Sequence, residues 1–247
     1  MDQIVILAAG KGTRMHSDKP KVLHEVKGVP MIQRLLNNLK PVFDPPIVVV
    51  GYGSDAVRSA LKGTACRFVH QSEQLGTGHA VWCAKEMLAD GDAENTVVIP
   101  GDHPLLSAKT LKRLLRLHKE RDAKISLALV SVPCFEGDFY GFHNCGRIIR
   151  SADGNVEGII ELKDADDEQK KITEVNVSYY CFDSIWLWKN IERLRTENAT
   201  REYYLTDMVR IASEQGDEVA ALVIENPYEG LGVNDQEQLS IVEAHCQ

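Results

Sequence analysis

The chain has 247 residues, long enough for one large domain or two small ones. Apolar residues make up 44% of it and charged residues 26%, enough to bury a core beneath a soluble surface. The net charge of −8 argues against a nucleic-acid surface, and no apolar run approaches the ~18 residues that a membrane helix needs.

The N-terminus lacks the cationic n-region and long apolar h-region of a secretory signal. The six cysteines (66, 83, 134, 145, 181 and 246) are scattered without a C-x-x-C pair, which reads as reduced thiols in a cytoplasmic protein. Ile4-Val5-Ile6-Leu7 reads as a buried parallel strand. The loop after it holds Ala8, Ala9, Gly10 and Gly12, whose small side chains let a ligand lie against the backbone. Free N–H groups in such a turn can point at phosphate oxygens. From Lys11 to Lys21 stand four cations (Lys11, Arg14, Lys19, Lys21) against one acid, Asp18. On an acidic chain that knot points to a focused anion site, with a solvated basic loop as the plainer alternative. The loop is not a Walker motif, which needs Gly-Lys-Ser/Thr four residues after its first glycine. Nor is it a good dinucleotide motif: Met15 stands where a third Gly or Ala belongs, and no acid closes the next strand.

Pro30 can open a helix with Met31, Leu35, Leu36 and Leu39 on its apolar face. Ile47 to Val50 is a second buried strand, and a helix capped by Ser54 runs to Lys62. A strand at 67–70, a helix carrying Ala80, Val81, Ala84 and Met87, a strand at 96–100, a helix at 107–121 and a strand at 124–132 follow. This alternation predicts an open, mostly parallel, Rossmann-like α/β sheet with helices on both faces. The pattern then changes. Strands at 146–150 and 156–162 flank Ser151-Ala152-Asp153-Gly154-Asn155, a hairpin signal. An exposed stretch at 163–171, a strand at 172–182, helices at 184–195 and 205–215, a strand at 218–224 and a last helix complete the chain. The reading is one domain over 1–247. It divides into a nucleotide-binding part at 1–135, a β-rich sugar-binding part at 136–234 and a C-terminal helix at 235–247.

Ligands of open α/β sheets bind at the carboxyl ends of the strands. The basic loop, Gln71 to Thr77 and Gly101-Asp102 all fall there. Asp102 read alone fits a Mg²⁺ ligand or a loop acid equally well. His103 beside it reads as structural. Gly76 and Thr77 fit the approach of a planar base, or a polar helix start. Gln71 offers a donor and an acceptor to a uracil edge.

The runs at 7–15 (LAAGKGTRM) and 19–24 (KPKVLH) resemble the sugar-phosphate nucleotidyltransferases. Those at 74–80 (QLGTGHA), 146–150 (GRIIR), 161–165 (ELKDA), 202–207 (EYYLTD) and 232–235 (GVND) narrow the resemblance to bacterial N-acetylglucosamine-1-phosphate uridylyltransferase domains. It spans residue 4 to about 240 in order.

The resemblance implies a GT-A-like nucleotidyltransferase fold. It also implies a Mg²⁺-assisted reaction of UTP with N-acetylglucosamine 1-phosphate, giving UDP-N-acetylglucosamine and pyrophosphate. Arg14, Lys21 and Asp102 are then the catalytic residues, with Asp102 and Asn234 holding the metal. Leu7, Ala8, Ala9, Gly10, Gln71, Gly76, Thr77 and Gly101 would contact the nucleotide. Gly146, Glu161, Asn176 and Asn234 would contact the sugar phosphate. Three positions depart from the family pattern: Pro100 replaces a tyrosine, Val177-Ser178 replaces Thr-Gly, and Phe142-His143-Asn144-Cys145 precedes Gly146. The last two lie toward the sugar, so another sugar 1-phosphate is the alternative substrate, and a non-catalytic nucleotide-sugar sensor is the alternative class. Nothing after Asn234 reads as the hexapeptide repeats of the acetyltransferase domain that often follows in this family. Without them a monomer or weak dimer is expected.

Overall fold

The computed structural model describes residues 2–40, 42, 45–89 and 91–246. The outermost positions of the expected domain, Met1 and Gln247, lie outside the described residues. In chain order the strands and helices are β1 (Asp2–Ala8), β2 (Glu25–Val26), β3 (Val29–Pro30), α1 (Met31–Leu39), β4 (Ile47–Val50), α2 (Ser54–Ala60) and β5 (Arg67–His70). Then come α3 (Thr77–Cys83), α4 (Lys85–Leu88), β6 (Asn95–Pro100), α5 (Ala108–Glu120), β7 (Ile125–Ser131), β8 (Arg147–Arg150) and β9 (Val156–Ile160). β10 (Glu174–Asp183), α6 (Ser184–Asn190), α7 (Asp207–Gln215), β11 (Val219–Val223) and α8 (Gln236–His245) follow.

The large sheet runs β11-β7-β10-β6-β1-β4-β5, with β8 joined to β10 and β9 to β8. β1 pairs in parallel with β4 and β6, β4 with β5, and β7 with β11. β10 lies antiparallel between β6 and β7. The sheet is mostly parallel as expected, but the fifth strand of the N-terminal half does not neighbour the fourth. Ten residues from the C-terminal half occupy that slot, and all but Glu174, Ser178 and Asp183 are buried. β8 and β9 form the expected hairpin, closed by Ser151 N donating to Asn155 O at 2.8 Å.

The alternation of β1 divides the core into two layers. Ile4, Ile6 and Ala8 face one cluster with α1, α2, α5 and α8. Val5 and Ala9 face the other, with α3, α6 and α7. Because both faces are covered, the central strands are apolar throughout rather than alternating.

Several boundaries move. Ser54 does not cap α2: Gly53, with φ +63, holds that position, and the Ser54 hydroxyl accepts from Arg58 Nε at 3.2 Å. A Cβ on Gly53 would lie 2.3 Å from Pro20 Cγ, so this close approach of two loops needs glycine. The helix expected across 80–87 breaks at Ala84 into α3 and α4. By contrast Ser107, Asp183 and Asp235 cap α5, α6 and α8 through side chains that accept backbone N–H bonds.

Candidate active site

The carboxyl ends of β1, β5 and β6 open into a cavity of about 510 Å³. Every residue expected at the site lines it except Gly101. That glycine is a packing requirement: its N–H donates to Leu7 O at 2.8 Å, and a Cβ there would meet Leu7 O at 3.0 Å and Val22 Cγ1 at 3.2 Å. Gly10 is the opposite case, because a Cβ there meets nothing within 4 Å. The space over it is open to a ligand.

Gln71 lines the cavity directly after β5 and is 3% exposed. Its Nε2 donates to Gly76 O at 3.1 Å and lies 3.1 Å from His79 Nδ1. Both amide hydrogens are thereby used, and the group presents an acceptor to the cavity rather than the donor and acceptor expected from its residue type. Gly76, with φ +108 and ψ 175, adopts a backbone conformation open essentially to glycine alone. A Cβ there would also lie 2.6 Å from Tyr203 O. Thr77 Oγ1 accepts from Leu205 N at 3.1 Å, leaving its own hydrogen to donate. Gly78 N also donates to Tyr203 O at 2.8 Å, so the 203–205 segment is fastened to the start of α3.

In the same cavity, Lys21 Nζ contacts the Asp102 carboxylate and donates to Asn234 Oδ1 at 2.8 Å. Gly12 makes this possible, since a Cβ there would lie 2.6 Å from Lys21 Cβ. Val233 N donates to Asp102 O at 3.0 Å, which holds the Asn234 loop against the end of β6. Asp102 is 7% exposed. Burial pushes its carboxyl up, but the Lys21 ammonium outweighs this and holds it below the usual carboxylate range. A carboxylate and an amide oxygen converging on one ammonium form a donor set that suits a hard divalent cation. Arg14 lines the cavity nearby and makes no ion pair among the described residues. His103 also lines the cavity. Its Nδ1 lies 2.7 Å from Tyr179 Oη, which itself donates to Glu229 O at 2.5 Å. Burial pulls the His103 imidazole down to about 4, so it is neutral at pH 7.

Glu161, also in the cavity wall, follows β9 and its Oε1 accepts from Thr206 Oγ1 at 3.1 Å. Burial raises its carboxyl above the usual range, against the Thr206 hydrogen bond, and the nearby acids Asp164, Asp207 and Glu202 add to the rise. Gly146 lets Ile159 pack close, because a Cβ on it would meet Ile159 Cγ2 at 2.7 Å, while the Glu161 carboxyl would be in ordinary contact at 3.5 Å. Asn176 Oδ1 accepts from Ser178 N at 3.0 Å across a bulge in β10, where Ser178 takes φ +62. The Tyr180 hydroxyl, sealed beside these two side chains, has no hydrogen-bond partner of proper geometry. The divergent 142–145 segment is held by Arg147, which is fully buried. Its guanidinium donates to the carbonyls of His143, Cys145 and Lys170 and lies 4.5 Å from the Phe135 ring centroid. Cys145 lines the cavity as a neutral thiol, its pKa pushed up to about 12 by burial.

Sequence reasoning did not single out Thr206, Tyr180 or His103 as part of the cavity. Thr206 falls inside the 202–207 run, but nothing in its residue type marks it as a partner of Glu161. His103 reads as structural on chemistry alone, and its place in the cavity wall depends on the pairing of β10 with β6.

Residues 4–198 match the MobA-like NTP transferase domain, and the chain belongs to that family of nucleotidyltransferases. The bifunctional protein GlmU of Lactococcus lactis subsp. lactis (strain IL1403) is 44% identical over 241 residues, 97% of this chain and 50% of the relative. That of Carboxydothermus hydrogenoformans is 44% identical over 237 residues, 96% of this chain and 51% of the relative. The chain therefore spans about half the length of the curated relatives it matches. The fold is also that of a UDP-glucose pyrophosphorylase solved with UDP-glucose, with a TM-score of 0.76 at 16% identity, covering 99% of this chain and 98% of the other.

Proposed function

We propose that the chain is a uridylyltransferase that joins UTP to N-acetylglucosamine 1-phosphate, releasing pyrophosphate and UDP-N-acetylglucosamine. The observation that carries this reading is the gathering of three kinds of group in one cavity: the Gln71 acceptor, the Lys21–Asp102–Asn234 cluster with Arg14, and Glu161. A base, a phosphate chain and a hydroxyl-bearing sugar each find a complementary group there.

The sugar phosphate oxygen attacks the α-phosphorus in line while pyrophosphate leaves. The attacking oxygen is already anionic, so the site needs no general base, and its work is positioning and charge neutralisation. Arg14 and Lys21 hold phosphate oxygens, each such charge-assisted bond contributing roughly 1.5–3 kcal/mol. Asp102 and Asn234 would hold a magnesium ion, which supplies further neutralisation of phosphate charge. Glu161 accepts from a sugar hydroxyl or amide through its remaining oxygen. The sugar is the open choice, because Ser178 and Cys145 stand in the cavity at departures from the family pattern, so another sugar 1-phosphate is the second reading.

We also read 1–247 as one unit, since the strands of both halves share a sheet. Its scattered cysteines, with no C-x-x-C pair, favour a reducing cytoplasmic setting. A monomer or weak dimer, with no nucleic-acid or membrane partner, remains the expectation, and no helix among the described residues is long and apolar enough to cross a membrane.

The test is pyrophosphate release with UTP and Mg²⁺ across N-acetylglucosamine, N-acetylgalactosamine and glucose 1-phosphates. Fast release with the first supports the reading. Release with another sugar alone moves the specificity to residues 142–178. Tight UTP binding without release from any sugar would leave a sensor.

A further inference from the structure

Gln71 and Gly76 line the cavity, but what orients the Gln71 amide lies behind it, on α3. An amide nitrogen can only donate, so His79 Nδ1, 3.1 Å from Gln71 Nε2, must accept. The imidazole then carries its proton on Nε2. That nitrogen lies 3.8 Å from Cys83 Sγ, one helical turn further along α3 and within reach of a weak hydrogen bond to sulfur. The three side chains form a directional chain: His79 Nε2–H to Cys83 Sγ, Gln71 Nε2–H to His79 Nδ1, and the second Gln71 hydrogen to Gly76 O. Turning the amide over would set Gln71 Oε1 against the Gly76 carbonyl oxygen, and against the Nδ1 lone pair as long as the imidazole keeps its Nε2–H toward Cys83 Sγ. The amide is therefore locked with its oxygen toward the cavity.

We propose that His79 is a positioning residue that fixes the Gln71 amide oxygen toward the base and so sets the preference for uracil over cytosine. The inference rests on the uridylyltransferase reading. A fixed acceptor suits the N3–H of uracil. Cytosine presents a lone pair at N3, which meets the same oxygen as repulsion. Relaxing the lock lets the amide turn and present its N–H to cytosine, so the discrimination falls while sugar recognition at Glu161 is untouched.

The experiment measures kcat/KM for UTP and for CTP with N-acetylglucosamine 1-phosphate in the wild type, His79→Leu and His79→Asn. The leucine removes the acceptor. The asparagine can place its oxygen near the Nδ1 position. The UTP-to-CTP ratio is expected to fall roughly tenfold in His79→Leu, the size of one hydrogen bond, and to recover in His79→Asn. The KM for the sugar phosphate should stay unchanged in both. A ratio that His79→Leu leaves intact overturns the proposal, as does an equal fall in both variants, which would mark a packing role. Nitrogen-15 spectra of the wild-type protein give a check that needs no variant: Nε2 must carry the proton, and a proton on Nδ1 overturns the lock. A wild type that uses CTP as well as UTP removes the underlying reading and the inference with it. A wild type that prefers UTP, with His79→Leu unchanged, removes the inference alone.

Discussion

Asp102 and Glu161 are both buried carboxyls at strand ends, yet their surroundings drive them apart. A lysine holds the Asp102 carboxyl below the usual range, whereas the Glu161 carboxyl has a hydroxyl as its only hydrogen-bond partner among the described residues and three acids nearby. The Lys21 ammonium favours the ionised form of Asp102 and burial disfavours that of Glu161, which suits the proposed tasks of holding cations and phosphate at the first and reading a neutral sugar at the second. Asp102→Asn is expected to lower kcat by about 10²–10³, the loss seen when one preorganised electrostatic group is removed. The circular dichroism spectrum should stay native, because Lys21 can turn its ammonium into the open cavity. Activity close to that of the wild type would remove Asp102 from the metal site. Glu161→Ala should raise the KM for sugar phosphate at least tenfold and leave the UTP dissociation constant unchanged, since a lost hydrogen bond to a charged acceptor is worth roughly 1.5–3 kcal/mol. Titration calorimetry with UTP separates the two effects.

At this scale the residues that carry charge were legible, because a basic loop, an acid after an apolar strand and an asparagine in a short motif are marked by type. What each neighbour already uses was not. The sequence shows that Gln71 has donors, but only the fold shows that both are consumed by Gly76 and His79. Gly101 looks like another ligand-approach glycine and proves to be a contact between β1 and β6.

The elements repeat this division. Periodicity located nearly every strand and helix, and the apolar runs of β1, β4 and β6 announced a sheet covered on both faces. Helix ends were harder, as at Ser54, because the choice between Gly53 and Ser54 turned on Pro20, thirty-three residues earlier in the chain. The hairpin of β8 and β9 was read from its turn, but its purpose appears only in three dimensions, where it carries Gly146 and Glu161 to the cavity. That tight pairing gives a prediction for the hairpin as a unit. Gly146→Ala forces a methyl against Ile159 and should cost about 1–3 kcal/mol in a denaturant melt. It should also weaken sugar-phosphate use through the displaced Glu161 while sparing UTP binding. A variant with wild-type stability would mean that the hairpin yields freely.

For the whole molecule, stability should depend on pH through His118. Burial pulls its imidazole down to about 4, with Asp183 and Asp2 opposing the fall and Lys124 and Lys119 adding to it. Its Nδ1 lies 2.9 Å from Ser126 Oγ on β7. The unfolded chain takes up this proton near pH 6.5 and the folded chain only near pH 4, so the unfolded state binds more protons between them. Folding stability should therefore fall as pH drops from 6.5 to 4, by up to about 3 kcal/mol in total, and level off outside that window. Glu161 and Asp207, whose carboxyls are raised, act in the opposite sense near the lower end, so the clean measurement is a difference. Denaturant melts of the wild type and His118→Asn should converge toward pH 4 relative to their separation at pH 7. Parallel curves would mean that His118 is not held neutral.

The place of β10 also bears on how the chain is made. Synthesis delivers β6 and β7 before residue 174 exists, and the slot between them is filled only by residues 174–183. Until then both strands present open backbone edges, the form most prone to pair with another molecule. Productive folding of the nucleotide half must therefore wait for the sugar half to emerge. Chains released at about residue 140 should accumulate as aggregates, whereas those released after α6 should acquire protease resistance.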